Sequence, residues 1–142
     1  MRQGTFGSCG MYRIIIILSL AGLLLAGCKT LSEREQAKHL EDTLLKYEAV
    51  IRWNAGVGAQ RFLAAEQQQT ANKPLRKDLR VTSYETVQGP SMLDEATAGL
   101  TVVIQYIFET EQVVHELVDQ QLWKYDAETK TWHLQSPIPE FK

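Results

Sequence analysis

Gly99 to Glu109 reads GLTVVIQYIFE, and Val113 to Tyr125 reads VVHELVDQQLWKY. In the first segment Leu100, Val102, Ile104, Tyr106 and Phe108 fall on alternate positions. That is the period of a strand with one buried face. Only Thr110 to Gln112 separate the two segments, and so short a link joins strands only as antiparallel neighbours. Placing Glu109 opposite Val113 pairs Phe108 with Val114, Ile104 with Val118 and Leu100 with Leu122, and predicts one apolar face made of these side chains. Asp126 to Thr129 then form a loop into a last strand, Lys130 to Gln135, with Trp123 opposite Trp132. Strict alternation puts those two tryptophans on the other face. The reading therefore needs either two covered faces or a bulge near Asp119–Gln121, and a bulge is the expectation. Pro137 and Pro139 stop any regular continuation of the sheet.

Working back along the chain, Leu79 to Val87 (LRVTSYETV) is rich in strand formers, Gly89-Pro90 is a turn signal, and Met92 to Ala98 reads as a connection. Pro74 ends whatever precedes it. Further upstream, Ser32 and Glu35 have the spacing of a capping box. Ala37, Leu40, Leu44, Tyr47 and Ile51 then recur at spacings of three and four, one stripe of a helix over about 33–53. Gly56 and Gly58 weaken the helix after it, and a second, short helix follows with Phe62, Leu63 and Ala65 as its apolar members. The fold class is α+β: a long and a short helix packed on a curved antiparallel sheet of about four strands.

The amino-terminal region carries an address. Ile14 to Ala26 (IIIILSLAGLLLA) is apolar except for Ser19 and follows Arg13. It is shorter than the roughly 20 residues a spanning helix needs, and fits the apolar core of a signal peptide. Leu25-Ala26-Gly27-Cys28 resembles the lipobox of bacterial lipoproteins at every position. That resemblance implies recognition of Leu25, Ala26 and Gly27 by the signal peptidase, lipid on the Cys28 sulfur and cleavage before it. A membrane partner through this lipid, and an envelope location, follow. Lys29, where Asp would favour inner-membrane retention, implies the periplasmic face of the outer membrane in a Gram-negative organism. Met11-Tyr12-Arg13 makes a more compact signal start than residues 1–10, so translation is expected to begin at Met11. The organisation read is 1–27 signal peptide, 28–32 lipidated tether and 33–142 one small domain.

Composition narrows the function classes. Arg2 and Arg13 are the charged residues of 1–27, so residues 28–142 keep 13 basic against 17 acidic side chains, a formal −4. A mildly acidic domain lacks the basic stripe that nucleic acid requires, so no nucleic-acid partner is expected. Cys9 and Cys28 are the two cysteines, one removed with the signal peptide and one lipidated, so no disulfide is expected. His39, His115 and His133 show no metal-ligand spacing, and Gly56-Val57-Gly58 lacks the rest of any nucleotide-binding pattern. No metal or cofactor is implied.

Tyr47-Glu48-Ala49-Val50-Ile51-Arg52-Trp53-Asn54, with Phe62-Leu63 soon after, resembles the opening of NTF2-like domains. Asp119-Gln120-Gln121-Leu122-Trp123-Lys124-Tyr125, closed by Trp132-His133-Leu134, resembles their last two strands. The likeness covers about residues 33–135 and lies in the order of elements, an order that other cystatin-like α+β domains share. It implies helices lying in the concavity of the sheet beside a conical pocket, with Trp53, Tyr106, His115, Asp119 and Trp123 as candidate lining residues. His115 and Asp119 share a face but stand four residues apart, about 13 Å, too far to bond directly. The leading expectation is a non-enzymatic envelope module that binds a partner protein or ligand; the alternative is a periplasmic small-molecule binder or minor enzyme using the pocket. An interaction module should show a filled core and an exposed apolar patch, and a pocket protein should show convergent polar groups.

Overall fold

A computed structural model describes the backbone of residues 8–68, 78–111 and 113–142, and side chains from Leu31 onward within those ranges. The first seven residues, residues 69–77, which include Pro74, and Gln112 lie outside the described residues. The chain divides into two compact units, Met1–Ala37 and Lys38–Lys142. Its elements are helix α1 (Ser8–Asn54), a 3-10 turn (Ala59–Phe62), a single turn α2 (Ala65–Gln68), and strands β1 (Leu79–Met92), β2 (Thr97–Phe108), β3 (Val114–Asp126) and β4 (Thr131–Leu134). The four strands form one antiparallel sheet in sequence order. The fold is α+β, a long helix and an open sheet.

The helix expected over 33–53 starts much earlier, since α1 runs without a break through Ser32–Glu35. Nothing between Ile14 and Ser32 forbids this: there is no proline, and each glycine costs only about 1 kcal/mol against alanine. The side chains of Leu25, Ala26, Gly27 and Cys28 lie outside the described residues. Within the second unit the stripe is as read. Leu40, Tyr47, Val50 and Ile51 are buried and Leu44 is half-buried against them, while Ala37 is exposed. The helix ends where Ala55, Gly56 and Gly58 adopt positive φ of 49°, 83° and 86°. The Gly56 amide donates to the Val50 carbonyl at 3.1 Å, closing the last turn. The short helix read after it resolves into the 3-10 turn and α2 with an extended Leu63 between them, which bridges to Leu134 in parallel.

The sheet departs from the sequence reading in its register. Phe108 was expected opposite Val114; instead Ile107 faces Val114, Ile104 faces Leu117, Leu100 faces Gln121 and Ala98 faces Trp123. A slip of one residue turns every side chain of β3 over. No bulge interrupts β3, so the expected irregularity at Asp119–Gln121 is absent. The tryptophan conflict disappears for the same reason. Tyr125, not Trp123, faces Trp132, and Trp123 faces Leu134. Trp123, Trp132 and Leu134 thus join Leu100, Val102 and Ile104 in one core. The observed register buries Trp123 beside Trp132 and leaves Val114, Val118 and Leu122 outside.

The bulges fall instead in β1, where register shifts occur between Val81 and Ser83, Thr86 and Gln88, and Gln88 and Ser91. The turn expected at Gly89-Pro90 is therefore absent, and the strand continues to Met92. Proline lacks the donor a ladder needs, but an edge strand at a bulge tolerates it. The connection shortens to Leu93–Ala96, where the Asp94 carboxylate accepts from the Ala96 amide at 2.8 Å.

Candidate functional site

Three groupings on the sheet carry chemistry. The first lies on the helix-covered face of the sheet. Asp119, Gln121 and Trp123 alternate along β3 on that face, with relative exposures of 6%, 3% and 0%. The indole Nε1–H of Trp123 donates to Gln121 Oε1 at 3.1 Å. That donor fixes the amide orientation, because only the carbonyl end can accept. Gln121 Nε2 then points at Asp119 Oδ2, 2.7 Å away, and at the Tyr84 hydroxyl, 2.9 Å away. From α1, Tyr47 meets Trp123 and Phe62 edge-on, each with ring centroids 5.3 Å apart. Phe62 meets Trp123 at 6.2 Å and 85°, so the rings form a mutually perpendicular set. The Tyr47 hydroxyl is buried and has no hydrogen-bond partner.

Burial dominates the electrostatics there. It pushes the Asp119 carboxyl up to about 6, against the opposing pull of the Gln121 amide. It also raises the Tyr47 hydroxyl well above its ordinary value, with Asp119 and then Tyr84 adding to the effect. Tyr84 is raised by burial, lowered by its bond from Gln121, and raised again by Asp119 and Glu48. Asp119 is therefore a carboxyl that titrates near neutrality, held by an amide that an indole orients.

The second grouping lies farther along the sheet. His115 stacks on Tyr106 at 5.2 Å and 18°, and Phe108 meets it edge-on at 5.4 Å. Phe141 packs on Tyr106, whose hydroxyl donates to the Lys142 carbonyl at 2.8 Å. His115 Nε2 lies 3.6 Å from Glu111, an ion-pair distance for the protonated ring.

Of the five residues read as pocket candidates, the structure joins Asp119 with Trp123 and Tyr106 with His115, as two separate pairs. Trp53 belongs to neither. It stands 76% exposed at the end of α1, with the Arg52 guanidinium over its ring. Asp119 is not the sheet-surface residue its polarity suggests; the register buries it. The sequence reading missed Gln121 as the hydrogen-bond partner of Asp119 and Tyr47 as the unpartnered hydroxyl of the same core. Tyr47 was legible only as a core position, and Gln121 only once the register is known. Among the described residues no group of three or more His, Cys, Asp or Glu side chains converges as a metal site.

The third grouping is the outer face of the sheet, opposite the helix-covered one. The register that buries Trp123 turns Val114, Val118 and Leu122 outward, 63%, 55% and 38% exposed. Val113 beside them is 54% exposed. Val103 and Ile107 of β2 are their half-buried cross-strand neighbours. Leu93, 63% exposed, lies over Gly99, the cross-strand neighbour of Leu122. Together they make an apolar stripe across the outside of the sheet.

Comparison of the chain with family models, curated proteins and solved structures gives no match. Among the described residues no helix is long and apolar enough to cross a membrane, a statement that leaves β-barrels aside.

Proposed function

We propose that the chain is a lipid-anchored envelope lipoprotein whose domain is a non-enzymatic interaction module of NTF2-like design, binding through the outer face of its sheet. The observation that carries the reading is the row Val114, Val118 and Leu122, which alternates along a central strand and points to solvent. Contiguous exposed apolar surface is a mark of protein interaction sites. The helix-covered face supports the same reading, since its rings pack edge-to-face and Gln121 engages Asp119, Tyr84 and Trp123 at once. The lipobox residues Leu25, Ala26, Gly27 and Cys28 supply the anchor. Each buried methylene of a lipid chain contributes about 0.8 kcal/mol, so two or more chains hold the protein at a membrane.

The test is crosslinking in cells of the wild-type chain and of Val118→Glu, followed by purification. The expected result is a crosslinked species that the variant loses while its near-ultraviolet circular dichroism, set by the buried Trp123 and Trp132, is unchanged. Equal crosslinking by both proteins overturns the reading. The anchor is tested separately by intact mass. A mature chain starting at a lipidated Cys28 supports it, and a chain that keeps Gly27 contradicts it.

A second reading rests on Asp119. A carboxyl near pH 6 beside the unpartnered Tyr47 hydroxyl is the kind of group that takes part in acid–base chemistry or ligand binding. Loss of a ligand's affinity in Asp119→Asn, with the fold intact, would favour it over the interaction module.

A further inference from the structure

The outer stripe is self-complementary. Along β3 its outward side chains run Val114, Glu116, Val118, Gln120, Leu122, Lys124. A two-fold axis lying across the strands at Gln120 places Val118 of one copy over Leu122 of the other. The same axis places Glu116 over Lys124, twice, and Gln120 over itself. The neighbouring rows obey the same rule. Gln88, Thr101 and Gln120 lie level across β1, β2 and β3, so Thr101 also falls on the axis. Val103, level with Val118, meets Gly99, which is level with Leu122 and is covered by the Leu93 side chain, so apolar groups oppose each other there. Glu85, level with Val103, meets Ser91. No like charges face each other across these rows. A Gln105 amide donates to the Glu116 carboxylate at 3.3 Å, which holds that charge on the outer face. Lys124, level with His133, carries the opposing charge on the other side of the axis.

We propose, resting on the reading of this face as the binding surface, that its partner is a second copy of this chain, docked sheet to sheet with β3 over β3. The edges of the sheet are poorly suited to association. β1 carries three register irregularities and Pro90, and β4 has four residues. Broken or short edges are how sheets avoid edge pairing. Two sheets packed face to face stand about 10 Å apart, a spacing that valine and leucine side chains from both sides fill. Isologous contacts of this kind close after two copies and leave no open end.

The test is a charge-reversal cycle on the full chain in detergent micelles, read by sedimentation equilibrium. The wild-type chain is expected to dimerise. Glu116→Lys alone sets two lysines over each other, and Lys124→Glu alone sets two glutamates over each other, so each weakens the dimer by about tenfold or more. The double variant restores it to within about threefold of wild type. Restoration is the outcome that a different partner, or association through another surface, does not produce. A monomeric wild type, or single reversals that dimerise like wild type, overturns the proposal. If the wild type is monomeric while Val118→Glu still loses its cellular crosslink, the pairing of copies falls and the interaction module stands. If Val118→Glu alters neither property, both fall.

Discussion

Asp119 accepts a hydrogen bond from Gln121 and is 6% exposed, so its ionised form, shielded from water, is costly. Its carboxyl is pushed up to about 6 by burial, against about 3.9 in an unfolded chain. The folded state binds this proton more tightly than the unfolded one. The resulting stability is fully present below about pH 4 and is lost as pH rises through about 6. Asp119→Asn keeps an oxygen for Gln121 and removes the charge. It is predicted to be more stable than wild type by about 1–2 kcal/mol at pH 7.5 and indistinguishable at pH 4, measured by urea unfolding. Asp94 and Asp126 are held below the usual carboxylate range by hydrogen bonds from Ala96 and Thr129 respectively. Their contribution has the opposite sign, lost as pH falls, and it cancels between the two proteins. The Tyr47 hydroxyl makes a companion case. It is buried and unpartnered, so Tyr47→Phe should change stability by less than about 1 kcal/mol, in the stabilising direction. Trp123→Ala removes the indole that packs on Tyr47 and orients Gln121, and should cost about 3–5 kcal/mol.

Elements were more legible than their pairing. The stripe Leu40, Leu44, Tyr47 and Ile51 announces a helix because its period is helical whatever else the chain does, and β2 announces itself by alternation. β3 is different. Val114, Val118 and Leu122 make an apolar set on one parity, while Leu117 and Trp123 make one on the other, with His115, Asp119 and Gln121 interspersed. Glu116, Gln120 and Lys124 interrupt the first set as His115, Asp119 and Gln121 interrupt the second, so local pattern does not decide between them. The fold takes the second, where the Trp123 indole joins the core and Gln121 donates to Asp119. The helix-covered site was illegible for that one reason: which face Asp119 occupies depends on a single residue of register. The start of α1 was misplaced on a capping signal that binds only where the preceding residues break a helix, and none here does. The helix's end was read correctly from its glycines. Gly56, at φ 83°, has Ile51 and Phe141 as neighbours no closer than 3.7 Å to where a Cβ would sit. Gly56→Ala is therefore strained by backbone conformation and not by crowding. It should cost about 1 kcal/mol, read as a fall in thermal midpoint.

At the scale of the whole molecule, the sheet has one wet and one dry face, and the wet one is unusually apolar along β3. Antiparallel sheets commonly show polar residues on the side that meets water. Here Val114, Val118 and Leu122 occupy it, separated by Glu116, Gln120 and Lys124. The lipobox resemblance suggests where the protein works, and this face is its proposed binding surface. That role is tested most directly by placing a photo-crosslinking amino acid at position 118, and separately at the exposed Glu41 of α1, in the full chain in cells. A discrete adduct from position 118 and none from position 41 is expected. Adducts from position 41 alone, or none from position 118, would contradict it.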